Sequence, residues 1–483
     1  MVIDALKYQI LQQFGFVPTE EQGQALDAFA RFLTDRDPHA VMILRGSAGT
    51  GKTSLSGAIV RTLKAIRQKV MLLAPTGRAA KVFSLNSGCP AYTIHRRIYR
   101  EKSFAGVDGQ FNLNDNLFTD TLFMVDEASM ISNLGFGGGN FGSGCLLDDL
   151  VRFVYQGHND RLMLIGDKAQ LPPVGEEESP ALNRMMLEGY GLKVYECDLN
   201  EVLRQSQESG ILYNATVIRQ MITHDDITQL PLIRFKGFAD IVMMPGNELV
   251  ESLANSYYRV GQDETMVITR SNKRANIYNN GIRNMVLDRE DELSCGDMLM
   301  IVKNNYFWTE KERNEAKEAL NAIPPFLANG DRAKVLRVSR HMELYGFRFA
   351  TLLLQFPDYD NYEMSVTALL DTLQSEAPAL THEQQEQLFH GVEEDYQDVP
   401  LKADRMKAIR GDQYFNALQV KYAYAITCHK AQGGQWEHVY VDQGYMTDDM
   451  LTPDYIHWLY TAFTRAKDKL FLVNWPKTQT EQA

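Results

Sequence analysis

The feature that most constrains this chain is the stretch Gly46-Ser47-Ala48-Gly49-Thr50-Gly51-Lys52-Thr53. It fits the pattern GxxxxGK, followed by Ser or Thr, at every fixed position. The apolar run 41–44 precedes it, and residues 53–60 can begin a helix. In this context, backbone N–H groups turn inward around phosphate oxygens. The sequence therefore predicts a phosphate-binding loop, with Lys52 on the β- and γ-phosphates and Thr53 on Mg²⁺.

An acidic pair follows a second apolar run. The run Leu122-Phe123-Met124-Val125 is typical of a buried strand and ends in Asp126-Glu127. One carboxylate can hold Mg²⁺ through water, and the next can polarise the attacking water. Adjacent residues leaving a strand point in different directions, which allows two roles. Downstream of a phosphate loop, the pair indicates nucleoside triphosphate hydrolysis; a solvated Asp-Glu turn is the alternative.

Further apolar runs alternate with helical stretches along the chain. The other strand candidates are Val70–Ala74, Leu162–Ile165, Met266–Thr269, His438–Val441 and Leu470–Val473. Continuous apolar strands separated by helices indicate parallel sheets that are covered on both faces. Two such sets predict an α/β chain with two domains, 1–200 and 201–483. Ligands of such sheets bind at the carboxyl ends of the strands.

Composition limits the classes of protein that the chain can be. A net charge of −13 argues against wholesale coating of nucleic acid but allows a local basic groove. The five cysteines are scattered and form no CxxC pair, which argues against a zinc or iron–sulfur site. We find neither a signal peptide nor an apolar run of roughly 18 residues. We therefore expect a cytoplasmic protein without a membrane partner.

Eight motifs in order resemble those of superfamily 1 helicases. They are GSAGTGKT, APTGRAAK, TIHR, VDEAS, GDKAQLPPVG, LRQ, CHKAQGGQW and YTAFTRA. The resemblance is greatest to the RecD-like and Dda-like branch, superfamily 1B, which moves 5′ to 3′ on single-stranded DNA, and it spans residues 18 to 475. It implies two RecA-like P-loop NTPase domains, with ATP and Mg²⁺ as cofactors.

The resemblance also implies roles at the nucleotide. The expected nucleotide-binding residues are Gln22, Gly46, Ala48, Gly49, Thr50, Gly51, Lys52, Thr53 and Gly433. Among them, Gln22 is similar to the glutamine that reads adenine, and Asp126 would join Thr53 at the metal. The expected catalytic residues are Lys52, the base Glu127, the sensor Gln170 and the second-lobe arginines Arg204 and Arg465. Arginine suits this role because its planar fork neutralises phosphoryl oxygens.

A further set matches motifs that contact single-stranded DNA in the family. These residues are Pro75, Thr76, Lys81, Thr93, His95, Thr269, Asn272, Thr427, His429 and Lys430. Hydroxyls, backbone amides and a few cations suit binding that ignores base sequence. Taken singly, each of the two histidines could instead be a structural residue.

Two insertions interrupt the motor pattern. Residues 99 to 120 predict a β-hairpin with a turn at Gly106-Val107-Asp108-Gly109, and in the family a hairpin here is the strand-separating wedge. A plain hairpin is the alternative. Residues 331 to 420 resemble the family's SH3-like β-barrel, although the acidic, helical part at 362–395 has no assignment. The glycine-rich loop 135–144 is either a mobile element near the site or a plain surface loop.

The function expected from the resemblance is that of an ATP-dependent DNA helicase, active as a monomer on single-stranded DNA and on duplex with a 5′ single-stranded tail. One alternative is an ATP-switched, non-unwinding subunit of a recombination or nuclease complex. Another is an RNA helicase, because contacts to the backbone do not identify the sugar.

Overall fold

The computed structural model describes residues 2–104, 109–135, 142–201, 208–224, 229–315, 323–324 and 326–481. Two parallel sheets, a closed five-stranded barrel and a two-stranded hairpin occur in this part of the chain. They confirm the predicted fold class of two RecA-like α/β lobes with a hairpin and a barrel insertion. The division of the domains at residue 200 stays a prediction. The predicted catalytic residue Arg204, the hairpin turn 105–108 and residues 136–141 of the glycine-rich loop lie outside the described residues.

The first lobe is a parallel sheet covered by helices. Its strands are β1 (Ala40–Gly46), β2 (Lys69–Ala74), β3 (Ala91–Thr93), β4 (Tyr99–Phe104), β5 (Gly109–Leu113), β6 (Thr121–Val125), β7 (Arg161–Gly166) and β8 (Lys193–Leu199). Its helices are α1 (Val2–Phe14), α2 (Glu20–Thr34), α3 (Lys52–Ala65), α4 (Gly77–Ser87), α5 (Ile94–Ile98), α6 (Leu146–Gln156) and α7 (Arg184–Gly189). Six strands form the sheet in the order β3-β2-β6-β7-β1-β8, whereas β4 and β5 pair antiparallel as the hairpin.

The continuous apolar run of β1 is explained by burial on both faces of the sheet. Met42 and Leu44 lie in the hydrophobic cluster that includes α1, α2 and α3. Val41 and Ile43 lie in the cluster on the opposite face. Because successive side chains of a strand point to opposite faces, both sets must be apolar here.

The second lobe carries the barrel between its strands. The strands are β9 (Ile241–Met244), β10 (Thr265–Thr269), β11 (Met298–Ile301), β12 (Arg332–Leu344), β13 (Phe347–Phe356), β14 (Tyr362–Leu369), β15 (Leu418–Tyr422), β16 (Ala425–Thr427), β17 (Trp436–Asp442) and β18 (Ala466–Val473). The helices are α8 (Gly210–Thr223), α9 (Leu249–Arg259), α10 (Asn272–Gly281), α11 (Phe307–Glu315), α12 (His382–Asp395), α13 (Lys402–Arg410), α14 (Cys428–Ala431) and α15 (Pro453–Phe463). The sheet has the order β16-β10-β17-β18-β9, and β11 to β15 close the barrel.

The barrel differs in two respects from the sequence-based interpretation. It takes in β11, which precedes the predicted range 331–420. It also takes in β14, although we interpreted the segment 362–395 as helical; only α12 fits that description. Met364, Val366 and Ala368, spaced two residues apart, lie in the main cluster of the second lobe, whereas Leu369 lies in a separate core on the other face, which is the period of a strand.

The two helices between β14 and β15 pack on one end of the barrel. Leu388 and Val392 of α12 and Ile409 of α13 form a small core with Phe347 and Phe349 of β13. This core is separate from the main cluster of the second lobe, which contains the inner residues of the barrel. The helices are therefore an accessory layer on the barrel and not part of the motor sheet.

All five cysteines are free. Among the described residues, no group of three or more His, Cys, Asp or Glu side chains could hold a metal ion by itself. No described helix has both the length and the apolar character needed to cross a membrane.

A buried ionic cluster at the base of the barrel provides a test of the fold. Asp297 is fully buried and accepts hydrogen bonds from Arg283, Arg289 and the Tyr424 hydroxyl. We expect Asp297→Ala to destabilise the protein by about 3–5 kcal/mol, because two guanidinium groups lose their counter-ion. Urea unfolding measures this loss. The exposed control Asp291→Ala should change stability by less than about 0.5 kcal/mol, and equal midpoints for the two variants would contradict the account.

Candidate functional site

The phosphate loop leaves β1 and runs into α3. Gly49 and Gly51 have φ values of 78° and 75°, a left-handed region that glycine adopts without strain. No side chain caps the start of α3, so this helix end is open to an anion. The Lys52 amine donates to the Gly46 carbonyl over 2.9 Å and thus lies folded across the loop.

Gln22 joins α2 to this loop. It forms a capping box with Thr19, whose backbone N–H donates to the Gln22 Oε1 over 3.0 Å. The Nε2 of the same amide donates to the Thr50 carbonyl over 2.9 Å. The structure therefore brings the predicted adenine-reading residue to the phosphate loop, with its side chain held by two hydrogen bonds.

The acidic pair faces the loop from the end of β6. The Glu127 N–H donates to the Asp126 carboxylate over 2.9 Å, and the buried Glu127 Oε2 has no hydrogen-bond partner among the described residues. Burial, and then the Glu127 charge, raise the pKa of Asp126 to about 6, while Lys52 opposes the shift. Carboxylate oxygens beside the phosphate loop are the ligands that a divalent cation prefers, so the Asp126 carboxylate fits a cation at this position.

The loop after β7 adds two polar groups. Asp167 is buried, and its carboxylate accepts the Ala169 N–H over 2.9 Å. Burial raises the pKa of Asp167, and Lys52 opposes this shift. Gln170 is buried as well, and its Oε1 has no hydrogen-bond partner in the described part of the chain. The carboxyl ends of β1, β6 and β7 thus converge on one polar site.

Helix α15 of the second lobe completes the site. The Tyr460 hydroxyl donates to Asp167 over 2.6 Å and accepts the Ala48 N–H of the phosphate loop over 3.0 Å. One residue further, the Thr461 hydroxyl accepts the Leu171 N–H over 2.8 Å. The second lobe is therefore bonded directly to the phosphate loop and to the loop that carries Gln170.

Two more residues of the second lobe hold the same loop. His457 makes a hydrogen bond of 2.9 Å to the Ala169 carbonyl, and Gln432 donates to the Leu171 carbonyl over 2.7 Å. Arg219 of α8 donates to the hydroxyl of Ser47. These contacts and those of α15 form a seam between the lobes, which we call the interlobe seam.

None of the sequence motifs predicts a role for Tyr460, His457 or Arg219. One signal was present for the first two: α15 is an apolar helix in which His457, Tyr460 and Thr461 lie three and four residues apart, so they share one face. A polar stripe on a buried helix indicates a specific partner. No comparable signal exists for Arg219, whose contact depends on how the lobes dock.

Two predicted nucleotide residues make their contacts elsewhere. Arg465 is 2% exposed, and its three guanidinium nitrogens donate within the second lobe, to Thr461, Gly434 and Thr464. Gly433 approaches α4 so closely that a Cβ would lie 3.0 Å from the Ala79 Cβ. Their assignment to the nucleotide stays a prediction.

The first-lobe residues predicted to bind DNA cluster at the starts of α4 and α5. Thr76 and Thr93 cap these helices, with their hydroxyls accepting backbone N–H groups. Pro75 immediately precedes the first cap. Lys81 donates to the Pro357 carbonyl of the barrel over 2.7 Å. Burial lowers the pKa of His95 to about 4, so its imidazole is neutral at pH 7.

The second-lobe residues lie at the matching sheet edge. Thr269 and Thr427 are paired at the carboxyl ends of β10 and β16. Asn272 begins α10, and His429 and Lys430 lie on α14. The Thr269 hydroxyl is fully buried and donates to the Ser271 carbonyl over 3.1 Å. The structure thus brings the predicted DNA-contact motifs of each lobe together at one edge of its sheet. The Thr269 hydroxyl, however, already donates its hydrogen bond to the protein backbone.

Comparison with known proteins gives two family matches. Residues 19–227 match the model described as an AAA domain, and residues 422–473 match the UvrD-like helicase C-terminal domain. The chain is 31% identical over 157 residues to the ATP-dependent RecD2 DNA helicase of Deinococcus radiodurans, covering 32% of this chain and 18% of that protein. It is 24% identical over 292 residues to the ATP-dependent DNA helicase dda of Enterobacteria phage T4, covering 59% and 60%.

One solved structure is similar to this chain over most of the length of both chains. It is the Pif1 helicase from Bacteroides in complex with ADP-AlF3 and single-stranded DNA, with a TM-score of 0.47, 14% identity and coverage of 97% of this chain and 95% of that chain. The chain spans less than one fifth of the length of the curated relatives to which it is more than 30% identical.

Asp331 links the barrel to the start of α4. Its Oδ2 accepts hydrogen bonds of 2.7 Å from the Tyr359 hydroxyl and 2.7 Å from the Ala328 N–H. Its buried Oδ1 has no hydrogen-bond partner among the described residues, and a Cβ at Gly77 would lie 2.5 Å from it. Burial raises the pKa of Asp331 to about 7.

This carboxyl predicts a pH-dependent stability. Its pKa is about 4 in an unfolded chain and about 7 in the folded protein. Between these values the folded state binds more protons, so stability falls as the pH rises and levels off above the higher value. Since asparagine cannot ionise, Asp331→Asn should be up to about 4 kcal/mol more stable than wild type at about pH 8, and similar at about pH 4.5.

Urea unfolding at the two pH values measures this difference. The exposed Glu363 on β14 provides a matched control, and Glu363→Gln should leave the pH dependence unchanged. A constant difference between Asp331→Asn and wild type across this range would refute the assignment.

Proposed function

This chain belongs to helicase superfamily 1B, and on that premise we propose that it is an ATP-dependent DNA helicase that moves 5′ to 3′ along single-stranded DNA and unwinds duplex. The RecD2 and dda relatives are both named as ATP-dependent DNA helicases, which supports the proposal. The site combines a phosphate loop, a half-buried acidic pair and a second lobe bonded to the phosphate loop and to the loop of Asp167 and Gln170. Nucleotide-driven motors have these parts.

The observation that most supports the proposal is the pair of hydrogen bonds made by the Tyr460 hydroxyl. It bonds to the phosphate loop and to Asp167 at once, at 3.0 and 2.6 Å. A change in the loop on ATP binding or hydrolysis therefore changes the docking of the second lobe. Opening and closing of the lobes, with alternating grip on the strand, converts this change into steps.

We place the ATP phosphates on the loop and the helix α3, with the Lys52 amine as their counter-charge. Gln22 would read the adenine edge with the donor and acceptor capacity of its amide that the bonds to Thr19 and Thr50 leave unused. Mg²⁺, held by Thr53 and Asp126, would supply positive charge to the phosphoryl oxygens. Glu127 then accepts the proton of the attacking water, because its buried Oε2 has no competing donor.

The second lobe would add the arginines. Arg465 lies two residues beyond α15, the helix that places Tyr460 at the phosphate loop. We propose that a shift of α15 on lobe closure releases the Arg465 guanidinium toward the phosphates, and that Arg204 is the second arginine of the site. Gln170, bonded into the interlobe seam through its loop, would report the state of the γ-phosphate to the DNA groove.

We propose that single-stranded DNA follows the edge formed by the starts of α4, α5, α10 and α14. Gly433 supports this path, because its close approach to Thr76 and Ala79 brings the motifs of both lobes together. The Lys81 contact to Pro357 places the barrel beside the same edge. Helix caps and hydroxyls bind the DNA backbone without reading bases.

The hairpin β4–β5 would split the duplex. Its Phe111 packs on Tyr306 with ring centroids 5.3 Å apart, and Tyr306 stacks on Phe326 at 4.7 Å. These rings brace the hairpin against the barrel region of the second lobe. A braced hairpin can resist the duplex while the motor pulls the strand.

The two alternative functions predict different results in ATPase and unwinding assays. A non-unwinding subunit that uses ATP as a switch would hydrolyse ATP with DNA but separate no duplex. An RNA helicase would be stimulated by RNA more than by DNA. We further propose a cytoplasmic monomer with a role in DNA repair or recombination; the free, scattered cysteines are consistent with a reducing compartment.

ATP turnover tests the acidic pair. We expect Glu127→Gln to lower DNA-stimulated hydrolysis by roughly a hundredfold or more while ATP still binds, because the amide cannot accept the proton of water. Lys52→Ala should instead weaken ATP binding itself. Steady-state hydrolysis and equilibrium binding of a labelled nucleotide separate the two effects. The exposed Glu177 of the loop after β7 provides the control Glu177→Gln; wild-type turnover by Glu127→Gln would remove it as the base.

Strand displacement tests polarity and the hairpin together. Wild-type protein should unwind 5′-tailed duplex and leave 3′-tailed duplex intact. Phe111→Ala should slow unwinding severalfold with little change in DNA-stimulated hydrolysis, because the ring braces the hairpin and lies outside the nucleotide site. Leu117→Ala is the control, since Leu117 is 89% exposed. Preference for the 3′ tail would overturn the polarity, and unchanged unwinding by Phe111→Ala would overturn the wedge.

A further inference from the structure

A polar groove of about 300 Å³ lies on the outer surface of the barrel. Its lining includes Lys311 of α11, Arg340 of β12, the hydroxyls of Thr351 and Ser365, and the ring of Tyr414. None of the residues predicted to bind nucleotide or DNA lines it. Cations, hydroxyls and an aromatic ring are the groups that bind a single nucleic-acid strand without regard to sequence.

The cations of the groove are available to a ligand. Neither Lys311 nor Arg340 forms an ion pair within the described ranges. The Lys311 amine lies 5.2 Å from the centroid of the Trp308 ring, which holds the charge in place without neutralising it. In a chain with a net charge of −13, two cations that line one groove and form no ion pair with its two glutamates favour an anionic ligand.

Arg340 occupies a strained position. Its φ is 47°, in the left-handed region that disfavours residues with a side chain. The register of β12 against β13 shifts between Ser339 and His341, so Arg340 is the additional residue of a β-bulge. Bulges re-aim side chains, and strain of this kind gathers at functional sites. Glycine would adopt this backbone conformation without strain, whereas Arg340 places a guanidinium there.

We propose that this groove binds the displaced strand, with phosphates on Lys311 and Arg340 and bases against Tyr414. Continuity with the hairpin favours this strand. Tyr306, which packs on Phe111 of the hairpin, directly precedes α11. Lys311 lies five residues further, about 8 Å along the helix axis. The proposal rests on the proposed unwinding activity, because only that activity produces a displaced strand at the hairpin.

Two glutamates shape the path of the strand. Glu312 and Glu315 line the groove, and Glu312 accepts a hydrogen bond of 3.2 Å from the Tyr362 hydroxyl. Their charges repel phosphates from the side of α11 that they occupy and confine the backbone to the side of Arg340. Removal of the Glu315 charge should therefore strengthen binding of the strand.

Binding to a static fork without ATP tests the groove separately from the motor. The double variant Lys311→Gln, Arg340→Gly should bind a fork with 5′ and 3′ arms less tightly, and its salt slope should fall by about 1.4 for two lost phosphate contacts. Binding to a 5′-tailed duplex without the 3′ arm should not change. Lys402→Gln with Lys407→Gln, exposed cations of α13 outside the groove, controls for net charge. Glu315→Gln should raise affinity for the fork only.

A photo-crosslinker in place of Gln413, which also lines the groove, identifies the strand. We expect crosslinks to the 3′ arm of the fork. Crosslinks to the 5′ arm or the duplex, an absence of crosslinks, or an unchanged salt slope would each overturn the proposal. Since glycine suits φ 47° at position 340, the double variant should stay folded. ATPase and strand-displacement assays test the motor activity separately. If the protein proves unable to unwind duplex, binding of the fork to the groove can still be measured.

Discussion

The Tyr460 hydroxyl is the contact on which the docking of the lobes depends. It joins a backbone amide of the phosphate loop to the buried Asp167, and both partners belong to the first lobe while the hydroxyl belongs to the second. Burial raises the pKa of Asp167, and the Lys52 charge and the Tyr460 hydrogen bond oppose this shift. A ligand that moves the Lys52 amine away from Asp167 makes the charged form of Asp167 less favourable. Since Asp167 also accepts the hydrogen bond of Tyr460, nucleotide binding and lobe docking are coupled through this carboxylate.

Much of the fold could be predicted because its information is local. Strands such as β1 and β6 contain the continuous apolar runs 41–44 and 122–125, as burial on both faces of the sheet favours. The strands of the barrel were harder to predict from the sequence, because the barrel closes through pairing between distant segments. Strand β11 has only four residues and pairs with β12 and with β15, and β15 is more than a hundred residues away in the chain. A run as short as Met298–Ile301 carries no period, so only the completed barrel identifies it as a strand.

The candidate site divides in the same way. The sequence could predict that Lys52, Asp126 and Glu127 belong to one site. Lys52 follows a glycine-rich loop and the acidic pair follows a buried strand, and the carboxyl ends of parallel strands meet at one edge of the sheet. Arg219 could not, because its contact with Ser47 exists only once the lobes are docked. The three hydrogen bonds of Arg465 to its own lobe are also invisible in sequence, since the acceptors include a backbone carbonyl of the turn at Gly434. A motif specifies a residue type, whereas the docked state decides which acceptor that residue meets.

Unpaired polar atoms mark where ligands complete the molecule. In the described part of the chain, the Glu127 Oε2 and the Gln170 Oε1 are buried at the nucleotide site without hydrogen-bond partners. The Nε of Arg78 is in the same condition at the junction of α4 with Trp436 and the barrel, where its Nη1 lies 4.0 Å from the Asp358 carboxylate. Each such atom costs about 1–3 kcal/mol. Burial lowers the pKa of Arg78 to about 10, so it stays charged while poorly solvated. A poorly solvated cation interacts with an anion more strongly than a solvated carboxylate repels it, so the acidic net charge does not exclude an anionic ligand where the lobes and barrel meet.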